Sequence, residues 1–132
     1  LMAAMSGVEV NLMFPCKPDH PFVYWATLSY VGELIMAGAN CYTYDNGFLH
    51  AKGLSIDGKA CCYGTANMDI RSFELNFEVN AMIFDQNIAG EMERIFREDL
   101  KCCTRITKEM YKSRSVWIRF KEQISRLLSP VL

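Results

Sequence analysis

The sequence predicts an α/β fold in which a layered sheet is flanked by helices. Short segments with the composition and alternation of β-strands are interleaved with longer segments whose apolar residues recur at helical spacing. Hydrophobic residues make up 51% of the 132 residues and charged residues 22%, which is typical of a globular domain with a buried core. Strands interleaved with helices are characteristic of layered α/β domains, so we expect this architecture here.

The first part of the chain contains two predicted helices and two predicted strands. Residues 1–7 favour a short helix because glycine commonly follows a helix C-terminus, and Val8 to Phe14 favour a strand. Residues 22–38 follow a proline-containing loop, carry apolar side chains at helical spacing and end at a glycine, so they predict a long helix. Asn40 to Tyr44 form the next predicted strand.

The second part begins with a predicted hairpin. Strands over residues 48–56 and 59–63 are joined by Asp57-Gly58, a dipeptide that favours a tight turn. A third strand is predicted over residues 76–84, where polar and apolar residues alternate. The predicted helices that follow span residues 86–100 and 111–128.

The composition argues against several classes of protein. The net charge of −1 gives no electrostatic argument for nucleic acid binding. No run of about eighteen apolar residues and no signal peptide are present in this sequence. The six cysteines include two adjacent pairs, which match neither a metal site nor a disulfide framework, so we expect reduced thiols that fill the core or are incidental. The length indicates one domain over residues 1–132, with residues 107–132 as a C-terminal helical extension.

The most informative residues lie on the predicted hairpin and on the third strand. Alternate side chains of a strand share a face, so His50 and Lys52 are expected on one side, with backbones roughly 6 to 7 Å apart. Thr65 and Asn67 follow the returning strand and can offer a hydroxyl and an amide to the same phosphate. Gly64, just before them, is expected to leave room for a ligand. The polar face of the third strand carries Glu78 among apolar neighbours.

These residues resemble the signature of the phospholipase D superfamily. The pattern is HxKxxxxD over His50 to Asp57, then six residues, then G-[S/T]-x-N over Gly64 to Asn67, with Glu78 about a dozen residues later. Thr65 stands where serine is commoner, which keeps the hydroxyl. Longer stretches such as GTANMDIRSFELNFEVN and the closing RFKEQISRLLSP are similar to bacterial cardiolipin synthases, and they span nearly the whole chain.

The resemblance implies roles for individual residues. His50 matches the histidine that attacks phosphorus and forms a phosphohistidine, and Glu78 is the candidate carboxylate that orients it. Lys52 and Asn67, with help from Thr65, would neutralise charge on the non-bridging phosphate oxygens. This scheme requires no metal and no other cofactor.

Two further residues have weaker assignments. Asp57 lies at the hairpin turn, so we interpret it and Gly64 as structural parts of the motif rather than as chemical groups. His20, in a loop between Pro18 and Pro21, either lines the substrate pocket or is an ordinary loop histidine.

The resemblance also implies that this chain holds half of a site. Phospholipase D chemistry uses two such motifs, one histidine attacking and the other acting as general acid and then base, and this chain carries one. We therefore expect the C-terminal half of a cardiolipin synthase, whose partner is the N-terminal half of the same chain. Such a half should expose an apolar surface near His50 and be inactive by itself on phosphatidylglycerol.

The implied reaction of the complete enzyme joins two phosphatidylglycerol molecules and releases glycerol. The implied location is the cell membrane, with this domain soluble and facing the cytoplasm. One alternative is a single-motif phosphodiesterase or nuclease that acts as a homodimer, and another is a lipid-binding module without catalysis.

The last predicted helix is amphipathic. Trp117 and Phe120 share one side with Ile124, Leu127 and Leu128, and cationic residues surround them. Such a helix either packs on this domain or a partner half, or makes a peripheral contact with an anionic membrane surface.

Overall fold

Two three-stranded sheets organise the chain, which is described by a computed structural model over residues 1–16 and 21–128. Contacts divide these residues into two compact units, of which one is formed by residues 50–102 and the other by the residues before and after them. The elements in chain order are α1 (Met2–Met5), β1 (Asn11–Pro15), α2 (Pro21–Met36), β2 (Asn40–Tyr44), β3 (Gly53–Ile56), β4 (Ala60–Gly64), α3 (Ile70–Glu74), β5 (Asn80–Ile83), α4 (Gln86–Leu100), β6 (Cys103–Ile106), α5 (Lys108–Lys112) and α6 (Val116–Leu128).

The unit formed by the two ends of the chain contains the sheet β1-β2-β6. Strand β2 is central, pairing parallel to β1 and antiparallel to β6. Helix α2 covers this sheet through Val31 and Ile35, which are buried with Cys41 of β2. The parallel β1–β2 pair is connected through α2, as parallel strands require a crossover connection.

The described cysteines form no disulfide bonds, as expected for reduced thiols. Cys41 and Cys61 are buried, and burial raises the pKa of the Cys41 thiol to about 11. A thiol with so high a pKa stays protonated at neutral pH, so Cys41 acts as a small apolar group in the core.

The unit of residues 50–102 contains the antiparallel sheet β3-β4-β5. Asp57 and Gly58 have φ values of 51° and 60° in the β3–β4 turn, and the Ile56 carbonyl accepts a hydrogen bond of 2.9 Å from the Lys59 N–H. Positive φ at both central residues is the requirement of a type I′ hairpin turn, which confirms the turn predicted from Asp-Gly. Helix α4 packs on β3 and β4, where its Ala89 is buried.

The sequence predicted α4 and β2 with the bounds that the structure has, and the layered α/β class is confirmed. Two predicted strands are shorter than expected, since the one over 48–56 begins only at Gly53 and the one over 76–84 only at Asn80. A third, predicted over 59–63, has the expected length but is shifted to Ala60–Gly64. The ends of α1, β1 and α2 also differ from the predicted ends by up to three residues.

Two elements were not predicted, and one prediction was wrong. Helix α3 and strand β6 are short and lack a long periodic pattern, so hydrophobic periodicity did not indicate them. The single helix predicted over 111–128 is two helices, because Thr107 caps the first and the chain turns at Ser113 before α6 begins. The Thr107 hydroxyl accepts from the Met110 N–H at 3.2 Å, which starts α5 earlier than expected.

Candidate active site

His50 and Lys52 lie together just before strand β3. The Lys52 Nζ is 2.9 Å from His50 Nε2 and also donates to the His50 carbonyl at 3.3 Å. An ammonium group has no acceptor, so Nε2 accepts this hydrogen bond and a neutral His50 carries its proton on Nδ1. The predicted strand alternation is wrong here because neither residue belongs to β3, but the two side chains do meet.

Thr65 follows β4 and is held by the backbone at the start of β5. Its N–H donates to the Val79 carbonyl at 3.0 Å, and its hydroxyl accepts from the Val79 N–H at 2.9 Å. The single proton of the hydroxyl can then go to the Val79 carbonyl, 3.4 Å away, or to Glu78. The backbone of Val79 thus holds Thr65, which carries the hydroxyl of the motif, in place.

Gly64 has a steric role that differs from the expected one. A Cβ at this position would lie 2.1 Å from the Val79 carbonyl oxygen and 2.6 Å from the Asn80 Cα. The space beside Gly64 is therefore filled by β5 and not reserved for a ligand. Glycine is needed because the two backbones approach closely.

Glu78 is the centre of a hydrogen-bond network. Its Oε1 accepts from the Ser72 hydroxyl at 3.0 Å and from Asn76 Nδ2 at 3.3 Å. The pKa of Glu78 is lowered, first by a hydrogen bond from Thr65, against a smaller desolvation effect, and also by Ser72, by Asn76 and by the charge of Lys52. Glu78 is therefore a carboxylate at neutral pH.

Ser72 links this carboxylate to the turn that carries Asn67. The buried Ser72 hydroxyl accepts from the Asn67 N–H at 3.1 Å while it donates to Glu78. Asp69 orients Ser72 in turn, because its Oδ1 accepts from the Ser72 N–H at 2.7 Å at the start of α3. One chain of contacts thus runs from Asn67 through Ser72 to Glu78.

The predicted residues thus fall into two sets of polar contacts, one of His50 with Lys52 and one of Thr65, Glu78 and the backbone of Asn67. The charge of Lys52 links the two sets, because it lowers the pKa of Glu78. The family whose description reads "Cardiolipin synthase, PLD-like domain" matches residues 1–100 of the chain.

The chain belongs to the cardiolipin synthase family of phospholipase D-like domains.

Individual proteins that are similar to this chain are also cardiolipin synthases. The major cardiolipin synthase ClsA of Bacillus subtilis and a cardiolipin synthase of Oceanobacillus iheyensis are each 56% identical to this chain over 131 residues. A cardiolipin synthase of Staphylococcus aureus is also 56% identical over 131 residues. The matches cover 99% of this chain but only 26% to 27% of the relatives, so the chain spans about a quarter of their length. The resemblance inferred from the motif is thereby confirmed.

Some predicted residues of this cardiolipin synthase domain stay predictions. Asp57 lies in the hairpin turn, as expected of a structural residue, while His20 lies outside the described residues. The described contacts of Glu78 come from Ser72, Asn76 and Thr65, and its role as the partner of His50 stays a prediction. The phosphate-binding roles of Lys52, Thr65 and Asn67 are likewise predictions.

Ser72 is the residue that sequence reasoning missed. The spacing Asp69-x-x-Ser72 is typical of a helix N-terminus, in which a carboxylate accepts from an N–H three residues later, and this signal could have indicated α3. The hydroxyl's contact with Glu78 could not have been found in this way because it depends on the fold between residues 72 and 78.

The chain around Glu78 exposes apolar side chains. Phe77 and Val79, on either side of Glu78 in sequence, are almost entirely solvent-exposed, and so is Phe84 beyond β5. The predicted alternation placed Phe77 and Val79 on one apolar face of this strand, and the described residues leave most of both side chains uncovered. No helix among residues 1–16 and 21–128 is long and apolar enough to cross a bilayer.

Proposed function

We propose that this chain provides one half of the active site of a cardiolipin synthase that transfers a phosphatidyl group between two phosphatidylglycerol molecules and releases glycerol. The observation that carries the proposal is the contact of His50 Nε2 with Lys52 Nζ, in a motif that belongs to the cardiolipin synthase family. The names of relatives that are 56% identical support the same reaction.

Lys52 positions the phosphate for attack in this proposal. Its ammonium lies 2.9 Å from the Nε2 lone pair, so a phosphate oxygen that binds the ammonium is brought close to that nitrogen. The anionic oxygen competes for the Lys52 protons and releases Nε2 as the nucleophile. Lys52 then neutralises charge on the non-bridging oxygens as it develops, with Asn67 and Thr65 as neutral donors.

The reaction proceeds through a phosphohistidine. A P–N bond forms to Nε2 while the bond from phosphorus to the glycerol oxygen breaks, and the leaving glycerol takes a proton from the general acid of a second motif. The hydroxyl of a second phosphatidylglycerol then attacks phosphorus, loses its proton to the same group, and the P–N bond breaks. Either motif histidine of the complete enzyme can be the one that attacks.

Glu78 stabilises the imidazolium during this cycle. A neutral His50 whose Nε2 accepts from Lys52 carries a proton on Nδ1, which suits a carboxylate partner on that side. The lowered pKa of Glu78 keeps the carboxylate charged for this purpose. Its hydrogen bonds from Ser72 and Asn76 would hold it in place.

Product balance tests the proposed reaction. The complete protein that contains this chain, incubated with phosphatidylglycerol, should form cardiolipin and glycerol in equal amounts. The 132-residue chain alone should form neither, because it carries one motif and the step to the leaving group needs a second. Cardiolipin formation by the monomeric chain alone, or release of phosphatidic acid without cardiolipin from the complete protein, would contradict the proposal.

A second experiment distinguishes the proposed half-site from the alternative of a homodimeric phosphodiesterase. In that alternative, two copies of the 132-residue chain bring two His50 side chains together, so phosphodiester hydrolysis should rise with dimer fraction in sedimentation experiments. We expect no such activity at any concentration at which the chain is folded.

A further inference from the structure

Helix α6 presents an apolar face to solvent. At about 100° per residue, its exposed apolar side chains fall within an arc of about 100°. Trp117 is 75% exposed, Phe120 56% and Leu127 81%, although each is a large apolar group. The members of this outward face are Val116, Trp117, Phe120, Ile124 and Leu127.

The opposite face of the same helix is the one that docks on the fold. Glu122 and Ser125 are buried, and α6 packs on α2. Glu122 pairs with Arg114, and Arg126 pairs with Glu33 of α2. Helix α6 therefore packs on α2 through this polar face, and the described residues leave the outward face uncovered.

The exposed charges of α6 are all positive. On the helical wheel, Lys121 borders one edge of the outward face and Arg119 the other, and both side chains are exposed. Glu122 is the one acidic residue of α6, and it is buried against Arg114. A partner of this face must therefore accept apolar side chains at its centre and offer negative charge at its edges.

A polar cavity of about 200 Å³ lies at the edge of the outward face that carries Arg119. Lys112 and Arg119 line it together with Arg114, whose charge is matched by Glu122. The cavity therefore has an excess of positive charge beside the apolar face, which suits a phosphate group attached to an acyl chain.

We propose that the outward face of α6 binds the interface of an anionic phospholipid bilayer. The helix is about 20 Å long and would lie in the plane of the interface, with Trp117 and Phe120 among the acyl chains and Arg119 and Lys121 at the phosphates. A second copy of α6 fits less well, because pairing the apolar faces would bring the cations of two helices together. This binding needs no turnover, so it does not depend on the proposed reaction.

Vesicle flotation with the 132-residue chain tests the apolar contact. The chain should bind vesicles that contain phosphatidylglycerol and bind phosphatidylcholine vesicles far less. Phe120→Ser should weaken binding to phosphatidylglycerol vesicles about tenfold, because one buried aromatic group is lost. The matched control is Phe84→Ser, which removes the same group from an exposed position on the other unit and should leave binding within about twofold.

Two lysine variants test the charge at the edge of the outward face that carries Lys121. Lys121→Gln should lower binding about fivefold, since a cation near an anionic surface contributes about that factor. Lys59→Gln removes the same charge from the exposed hairpin turn and should have little effect. Raising the salt concentration should weaken the binding of wild type more than that of Lys121→Gln.

Three results would overturn the proposal: equal binding to both kinds of vesicle, equal losses for Phe120→Ser and Phe84→Ser, or loss of a dimer rather than of vesicle binding in Phe120→Ser. His50→Gln should bind vesicles like wild type. If the complete protein with His50→Gln keeps the wild-type rate of cardiolipin formation, the proposed function fails and the membrane face is unaffected. If the wild-type chain does not float with the vesicles, the membrane face fails and the proposed function is unaffected.

Discussion

Ser72 links two residues of the candidate site, Asn67 and Glu78, although it does not belong to the motif. Its hydroxyl accepts from Asn67 and donates to Glu78, and it is buried. Removal of the hydroxyl leaves both partners without this hydrogen bond. The two ends of the site, at residues 67 and 78, are therefore coupled through one atom.

Ser72→Ala should lower the free energy of unfolding by about 1 to 3 kcal/mol, measured by urea denaturation, because a buried hydrogen-bond partner is lost. It should also raise the pKa of Glu78 towards its ordinary value, measured by NMR titration, since Ser72 is one of the groups that lower it. The control is Ser113→Ala, whose exposed hydroxyl donates to the Met110 carbonyl. An unchanged pKa of Glu78 in Ser72→Ala would show that this hydrogen bond does not form.

The pKa of Glu78 also fixes the sign of a pH effect. Because the pKa in the folded chain is below the ordinary value of 4.5, the carboxylate stabilises the fold fully above that value. This contribution is lost as the pH falls through the lower pKa of the folded state. The stability difference between wild type and Ser72→Ala should therefore shrink under acid conditions.

The strength of local signals explains which elements the sequence could predict. Helix α4 has a regular apolar stripe and an Asp85 cap, whose carboxylate accepts from the Asn87 and Ile88 N–H groups at 2.9 Å, so its bounds were readable. Strand β6 has no such signal, because it is defined by its pairing with β2, about 60 residues away in the chain. Strands β3 and β5 likewise begin where their pairing with β4 begins, at Gly53 and Asn80, and not where the local alternation begins.

The β3–β4 turn and helix α4 offer a matched pair of glycines. Gly58 has a φ of 60°, and a Cβ there would lie 3.1 Å from Glu93 Oε2, whereas a Cβ at Gly90 meets no atom within 4 Å. Gly58→Ala should therefore lower the free energy of unfolding by about 1 kcal/mol or more, while Gly90→Ala should raise it by up to about 1 kcal/mol. Thermal unfolding measures both, and a stabilising Gly58→Ala would contradict the turn geometry.

The buried face of α6 contains an ion pair between Arg114 and Glu122. Burial raises the pKa of Glu122 despite the charge of Arg114, so the folded chain holds this proton more tightly than the unfolded chain. The contribution of Glu122 to stability therefore decreases as the pH rises above the ordinary value of 4.5. Without Arg114, the stability of the folded chain should decrease more steeply with rising pH, because the buried Glu122 carboxylate has then lost its ion-pair partner.

Arg114→Met should lower the free energy of unfolding by about 3 kcal/mol at pH 8, because an unpaired charge is left in a buried position. At pH 5 the loss should be smaller, since the carboxyl then binds a proton. Arg94→Met, at the exposed pair with Glu91, is the control and should cost less than about 1 kcal/mol at either pH. Equal losses at both pH values would mean that Glu122 does not titrate in the folded chain as proposed.

At the scale of the whole molecule, the motif predicted the family correctly, but the sequence did not reveal how its residues are held. His50 and Lys52 meet although no strand places them, and Gly64 is fixed by the close approach of β5 rather than by a ligand. Both facts depend on which segments pair in space, which one sequence does not contain. The family was readable because the motif depends on residue types and spacing.

The chain spans about a quarter of the length of its cardiolipin synthase relatives. The role proposed for His50 is therefore tested best in the complete protein. The measurement is the rate of cardiolipin formation from phosphatidylglycerol by that protein with His50→Gln, compared with wild type and with Lys59→Gln. We predict a loss of about a thousandfold or more for His50→Gln, whether His50 is the nucleophile or the general acid, and a rate near that of wild type for Lys59→Gln. A folded His50→Gln protein that forms cardiolipin within tenfold of the wild-type rate would contradict the account.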